Sequence, residues 1–423
     1  MYAHCDLDCF FVSVERLLDP SLNGVPVGAV GGGDPEGRRG IVIAASYEAR
    51  PYGVRTGTPV FEAVRLCPQI RLVPAYGPYG RVSVAVERIL RRFFPEVVRR
   101  SIDEFDCPLG GWVETIRRRY RSLEAFARRV QGAVWGEVGV PMSIGISSSP
   151  PIAKLVTKSV KPFGVGVVEP AQVPRFVDRM EVDEIAGIAK GLKRQLARAG
   201  IRTLGELAAI DPRIVRARFS VVVERLCRCV RGEDIPLPES SPFQQQMGHH
   251  RTFPHPSSDP NYLHAFLEQL ARQLCFRLRR DGYLALHLAV SLRLEDFTER
   301  WSEVPLAPTS LDEHLVPVAH RLLERLTPDR PTARGVGVWC GRIIPGPRQP
   351  SLFESPELYC RERLARALDR VREKFGWDAV LPASTLAARR RARLKRLSCA
   401  FNVRSQPDLL TAFPPWLRQR VGV

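Results

Sequence analysis

Apolar and polar residues alternate with a period of two along Tyr2-Ala3-His4-Cys5-Asp6-Leu7-Asp8, and the pattern predicts a strand. The period then lengthens. Phe10, Val14 and Leu17 or Leu18 fall at helical spacing, so a helix over Cys9–Leu18 follows, with Asp8 at the position of an N-cap. Strands are predicted over 24–30 and 40–46 around a Gly/Arg loop, 31–39, and a short helix over 59–66 closes this small unit. A helix over 78–93, a strand over 97–103, a helix over 122–135 and a strand over 142–147 complete the first third. This order fits a split β-α-β layer carrying an inserted subdomain.

Residues 181–231 read as wholly helical, and the Pro/Ser-rich stretch 236–242 reads as a linker. A second α+β unit follows over 243–345. It opens with a polar strand, 244–250, and a long helix, 260–280, that places Leu263, Phe266, Leu267, Leu270, Leu274 and Leu278 on one face. Strands at 284–293, 297–304 and 335–341 and a helix at 311–325 complete it. The tail from 346 starts as Pro-rich coil, continues as an Arg/Glu-laced helix over 356–375 and reaches the basic run Arg389–Arg396, which reads either as a solvated segment or as a phosphate contact.

Charge narrows the classes. Lys and Arg number 63 against 45 Asp and Glu, a formal charge of +18 on 423 residues, which points to a polyanion and first to nucleic acid. No run of about 18 apolar residues is present to span a bilayer. The N-terminus starts a strand and lacks a signal pattern, so a cytoplasmic monomer is expected. The ten cysteines lack zinc-site spacing and are expected to be reduced and mostly buried. His249, His250 and His255 read as surface or strand residues rather than as a metal cluster.

The chemistry sits in two acidic clusters, each at the end of a β-like run: Asp6-Leu7-Asp8, and Ser101-Ile102-Asp103-Glu104 about a hundred residues later. Like charges 4 Å apart repel by roughly 4 kcal/mol near a surface. Three such acids in one place call for divalent cations, and all-oxygen ligands select Mg²⁺ or Mn²⁺. Taken alone, Asp103-Glu104 is better read as an acidic hairpin turn, and Asp8 as a helix cap rather than a ligand.

The pattern Asp6-x-Asp8-Cys9-Phe10-Phe11-x-x-Val14-Glu15 resembles the opening of the Y-family DNA polymerases, and most closely the DinB-like branch of bacterial DNA polymerase IV. The resemblance continues through Tyr47-Glu48-Ala49-Arg50-x-x-Gly53-Val54, Ser101-Ile102-Asp103-Glu104, Ser143-Ile144-Gly145-Ile146-Ser147, Ala153-Lys154 and Lys161-Pro162-x-Gly164, and then Gly248-x-x-Arg251-Thr252-Phe253.

It implies an α+β fold with a split β-α-β palm (1–10 and 75–165), a small fingers insertion (11–74), a helical thumb (166–235) and a separate α+β little-finger domain (243–345) beyond the 236–242 linker. A tail, 346–423, carries the remaining motifs. The implied activity is low-fidelity, template-directed translesion synthesis, with dNTP added to a primer 3′-hydroxyl by two-metal nucleotidyl transfer.

The resemblance also assigns roles. Asp6, Asp103 and Glu104, with the Leu7 carbonyl, are implied to hold two Mg²⁺ ions, with Mn²⁺ as a substitute. Phe11 is implied to be the steric gate against a 2′-hydroxyl. Adjacent helical residues point about 100° apart, so Phe10 and Phe11 cannot both face the core. Phe10, Tyr47, Arg50 and Lys161 are implied at the triphosphate, and Arg38-Arg39 either touches the nucleotide or lies on a solvated loop. A helix-hairpin-helix over 182–204, with Gly187 and Ala189, is implied to hold DNA phosphates, and Arg251 and Thr252 to grip DNA. Gln349-Pro350-Ser351-Leu352-Phe353 looks like a sliding-clamp motif.

Three departures from the family pattern stand out. Ala189 replaces a glycine that would allow positive φ, Phe163 replaces a small polar residue, and Pro108 with Gly110-Gly111 is expected to weaken the strand after Glu104. The Pro108 departure leaves a second reading open, against which the three retained acids argue: an inactive, polymerase-like DNA-binding and clamp-binding adaptor. A third, a nucleotidyl cyclase, needs neither the +18 charge nor the hairpin.

Overall fold

The computed structural model describes residues 1–31, 40–75, 77–235, 245–346 and 356–385. They fall into two compact units, one within Met1–Pro238 and one within Glu239–Arg396. The Arg38-Arg39 pair, the 236–242 linker, the Gln349–Phe353 motif and the basic run 389–396 lie outside the described residues.

In the first unit, β1 (Tyr2–Leu7) leads into α1 (Phe10–Leu18). The strands β2 (Val27–Gly31) and β3 (Ile41–Ala45), the helix α2 (Val60–Leu66) and β4 (Arg71–Pro74) then form a small three-stranded sheet, ordered β3-β2-β4, as the inserted subdomain. Next come α3 (Tyr79–Leu90), β5 (Val98–Arg99), β6 (Glu104–Pro108), α4 (Val113–Tyr120), α5 (Leu123–Val138), β7 (Met142–Ser147), α6 (Pro150–Val160) and β8 (Val165–Val167). The larger sheet is ordered β5-β6-β1-β7-β8. β1 lies at its centre, antiparallel to both β6 and β7.

Strand alternation gives this sheet two unlike faces. Ala3, Cys5, Leu7, Phe105, Cys107, Met142, Ile144 and Ile146 turn to one side and join the core built with α3 and α5. Their neighbours in register, His4, Asp6, Glu104, Asp106, Ser143 and Gly145, therefore turn to the other side. α6 packs on that polar side across β1 and β7. Five short helices follow: α7 (Val173–Val177), α8 (Lys190–Arg198), α9 (Leu204–Ala209), α10 (Pro212–Arg218) and α11 (Val221–Val230). They share a core with Ile152, Leu155 and Val156 of α6.

Two expectations need correction. The strand expected over 97–103 is only Val98–Arg99. The chain turns at 100–103, with the Arg100 N–H bonded to the Glu104 carbonyl at 3.0 Å, and the longer strand begins at Glu104. Pro108 does not weaken that strand. It is the last residue of β6, opposite Tyr2, beyond the reach of β5, so its missing N–H breaks no interior ladder bond.

The second unit contains β9 (Met247–Ser257), α12 (Pro260–Asp281), β10 (Tyr283–Leu294), β11 (Glu299–Thr309), α13 (Asp312–Leu326), β12 (Ala333–Cys340), β13 (Ile343–Pro345) and α14 (Pro356–Phe375). Its sheet runs β11-β10-β12-β9, and α12 and α13 cover one face with the leucine stripe inward. Arg279, almost fully buried, ties three helices together. It donates to Asp312 at 2.8 Å and to both carboxylate oxygens of Asp369 at 2.6 and 2.9 Å. Replacing Arg279 by Met leaves two shielded carboxylates without their shared cation. The expected loss is about 3–5 kcal/mol, read from the denaturant midpoint; a wild-type midpoint would show that α14 contributes no anchoring.

Candidate active site

The register of β1 decides which acids meet. Asp6 stands directly opposite Glu104 on β6 and Ser143 on β7. His4, two residues back, shares that face, and His4, Asp6 and Glu104 bring one ligand atom each within 4.8 Å of one another. The His4 ring is held by its Nδ1, 2.7 Å from Asp106, and its buried Nε2 has no hydrogen-bond partner among the described residues.

Asp103 occupies the turn. Its carboxylate accepts from the Ser101 hydroxyl, its N–H donates back to that oxygen at 3.3 Å, and its carbonyl accepts from the Leu7 N–H at 2.9 Å. The structure thus brings Asp6 and Glu104 together and holds Asp103 beside them, its side chain engaged locally.

Two ammonium groups neutralise the pair. Lys154, on α6, contacts both oxygens of Glu104 at 2.6 and 2.7 Å. Lys161 donates to Asp6 and lies 3.7 Å from Asp8. Burial raises the Asp6 pKa above the usual carboxylate value; Lys161 opposes that rise and Glu104 adds to it.

α6 can lie this close only because residue 145 is glycine. A Cβ there would sit 2.3 Å from the Ala153 carbonyl oxygen and 2.4 Å from the Thr157 nitrogen. The Thr157 hydroxyl also donates to the His4 carbonyl at 3.0 Å, fixing the helix to the central strand.

Asp8 is not a helix cap. Cys9 occupies the N-cap position of α1 and makes no capping bond through its side chain. The Asp8 carboxylate is buried and accepts from the Ser143 hydroxyl at 2.8 Å, the Phe163 N–H at 2.8 Å and the Tyr47 hydroxyl at 3.2 Å. Phe163 has a φ of 49°, in the left-handed region, so the turn presents its N–H to Asp8 and leaves its ring exposed against Trp135.

Tyr47 and Arg50 come from the segment after β3. The Arg50 guanidinium lies 4.0 Å from the centre of the Tyr47 ring and donates to the Cys9 sulfur at 3.3 Å. Phe10 is buried and Phe11 half-buried, as their spacing on one helix requires. The Phe11 ring meets the Tyr79 ring edge-on at 4.6 Å.

A cleft of about 560 Å³ runs from Asp6 past Lys154, Lys158 and Lys161 to residues 183–189. Gly187 has a φ of 110°, which glycine adopts readily, whereas Ala189 has a φ of −84° that any residue adopts, so the alanine does not strain the hairpin. In the second unit, Arg251 and Thr252 are neighbours on the edge strand β9 and so turn to opposite faces. The sheet face away from α12 and α13 carries the paired rings of Trp301 and Trp339. Arg293 and Arg334 both lie over Phe297.

A model of the impB/mucB/samB family matches residues 5–158, and a model of that family's C-terminal domain matches 244–352. DNA polymerase IV of Moorella thermoacetica is 35% identical over 390 residues, which are 90% of this chain and 95% of that protein. DNA polymerase IV 1 of Bacillus subtilis is 31% identical over 392 residues, 90% of this chain and 92% of that protein. The chain belongs to the Y family of DNA polymerases, in its DNA polymerase IV branch. A solved Y-family DNA polymerase chimera shares the fold at a TM-score of 0.72 and 22% identity, covering 82% of this chain and 99% of its own. The large sheet, small sheet, short-helix cluster and second unit are then the palm, fingers, thumb and little finger of a Y-family enzyme.

His4, Asp8, Ser143, Lys154 and Thr157 escaped the sequence reading as site residues. The available signal was alternation: His4 shares the parity of Asp6, and Ser143 and Gly145 are the polar and small positions of an otherwise apolar strand. Replacing Gly145 by Ala should push α6 off the sheet and cost about 1–3 kcal/mol, measured by urea denaturation. An unchanged midpoint would mean that the helix yields freely and does not rest on the strand.

Proposed function

We propose that the Asp6–Glu104 face is the catalytic centre of this DNA-directed DNA polymerase of the translesion kind. The observation that supports it most is the pairing of Asp6 with Glu104 across adjacent strands, with two lysines on the same face, in a chain similar to DNA polymerase IV over 90% of its length.

The donor set fits a divalent cation: two carboxylates and the His4 imidazole within one small cluster, with Asp103 at the adjoining turn, its carbonyl taking the Leu7 N–H; the Leu7 carbonyl is proposed as a further oxygen ligand. Asp6, Asp103 and Glu104 would hold two Mg²⁺ ions, with Mn²⁺ able to substitute. Bound there, such ions acidify a primer 3′-hydroxyl and stabilise the leaving pyrophosphate. The protein's own groups supply the rest. Lys161, Arg50 and Tyr47 present positive charge and a hydroxyl toward an incoming triphosphate, with the backbone around Phe10 beside them. Lys154, released from Glu104, becomes a further cation at the same edge. Phe11 closes the sugar position with its ring held edge-on by Tyr79.

Primer–template DNA is the partner, gripped through its phosphates. The thumb hairpin at Gly187 and Ala189 and the little finger at Arg251 and Thr252 are the proposed contacts, supported by the formal charge of +18. Gln349, Leu352 and Phe353 are proposed to dock on a sliding clamp. Among the described residues no helix is long and apolar enough to cross a membrane, and a cytoplasmic monomer is proposed.

The inactive-adaptor reading is not favoured, since the relatives are named as polymerases and Pro108 leaves the strand bearing Glu104 intact. Primer extension tests the choice. Asp6→Ala and Glu104→Ala should each lower dNTP incorporation by at least 10³-fold, the order expected for loss of transition-state stabilisation of about 4 kcal/mol. Variants as active as wild type would falsify catalysis at this face. Phe11→Ala should raise ribonucleotide incorporation at least tenfold while retaining extension with dNTP; unchanged sugar discrimination would remove Phe11 from the gate role.

A further inference from the structure

The little finger carries a second cluster that DNA synthesis does not use. On α12, His264 and Glu268 are four residues apart and share a face. On α13, His320 and Glu324 repeat the same spacing. Where the two helices pack, the histidines meet: Nδ1 of His264 lies 2.7 Å from Nδ1 of His320, with ring centres 4.9 Å apart and planes inclined at 34°. The other nitrogen of His320, Nε2, faces the Glu268 carboxylate at 3.9 Å. Glu268 is itself buried and held, because Arg272 donates to its other oxygen at 2.9 and 2.8 Å.

We propose that this is a binding site for a divalent transition metal of the zinc class, with the two Nδ1 atoms as ligands. Two imidazole nitrogens on one tetrahedral zinc, each at about 2.0–2.1 Å, stand roughly 3.3 Å apart. The observed 2.7 Å is short of that by an amount that rotation of half-buried side chains supplies. Without an ion one ring donates its Nδ1–H to the other across this contact; loss of that proton leaves both nitrogens free to take the metal between the helices. The outer nitrogen of a metal-bound histidine characteristically donates to a carboxylate, which fixes the tautomer and the ring plane. Glu268 lies 3.9 Å from that nitrogen of His320, near enough to become its acceptor when the ring turns toward the metal, with Arg272 anchoring the carboxylate from behind. Glu324, exposed at the rim, is within reach of the charge of His320, and water completes the coordination.

A pair of imidazole nitrogens separates this site from the Asp6–Glu104 face, where two carboxylates outnumber the single imidazole of His4. Imidazole favours Zn²⁺, Ni²⁺ and Cu²⁺, whereas Mg²⁺ prefers oxygen. The ion therefore clamps α12 to α13 while magnesium serves the palm.

The full-length protein, stripped with EDTA and dialysed into buffer containing millimolar Mg²⁺ to keep the palm carboxylates loaded, is titrated with Zn²⁺ by calorimetry. Wild type should bind one more equivalent than the double variant His264→Gln/His320→Gln. Each single variant should weaken that equivalent at least tenfold, and Glu268→Gln should weaken it by about 10–100-fold. If the double variant does not fold, the single variants, each retaining one ring, carry the comparison. Independently, one equivalent of Cu²⁺ on wild type should give an electron spin resonance spectrum with hyperfine coupling to two imidazole nitrogens. The proposal is overturned if zinc stoichiometry and affinity are the same in wild type and variants. It is equally overturned if the copper spectrum shows one imidazole or none.

Discussion

The central position of β1 is the constraint on which the molecule depends. It is hydrogen-bonded on both sides, so its register is set twice, once by β6 and once by β7. A slip of one residue would turn Ala3, Cys5 and Leu7 out of the core and bury His4 and Asp6 in it. The apolar face therefore enforces the placement of the acidic one. Burying three small and large apolar side chains against α3 and α5 is what holds Asp6 opposite Glu104 despite their mutual repulsion, and Lys154 and Lys161 offset what repulsion remains.

Much of this was legible in the chain because the signals are local. The period-two run of β1, the leucine stripe of α12 and the alternating strands of the second unit each carry their own evidence, and the structure places them within a few residues of expectation. The errors arose where tertiary contacts decide. Asp8 has the spacing of a helix cap, but three donors from distant segments claim its carboxylate. Val97–Asp103 has strand composition, yet Ser101 and Asp103 bond to each other and bend the chain before Glu104. Proline at 108 looked disruptive because only its neighbours in sequence were visible; its position at the end of β6 is a fact of pairing.

The lysines illustrate the limit of motif reading. Lys161 was legible through Lys161-Pro162-x-Gly164 together with a role, whereas Ala153-Lys154 entered only as a matching pair, with nothing local to say what Lys154 touches. Its meeting with Glu104 requires a glycine nine residues earlier, on another element, to let the helix descend. Among the histidines, the reading of His249, His250 and His255 as strand residues holds, and the contact that escapes it is elsewhere. Adjacent His249 and His250 drew notice and fall on one strand, while His264 and His320, separated by 56 residues, are the pair that touch.

Asp8 has a mechanical consequence. Its bonds to Ser143 and to the Phe163 N–H, both 2.8 Å, lie within the palm, while its bond to Tyr47, at 3.2 Å, reaches the fingers. A swing of the smaller layer would stretch the longest link first and leave the other two seated. The carboxylate works as a rivet with one loose plate: the small sheet hangs from the longest of three bonds, and the strand that carries Asp6 is held by the two short ones.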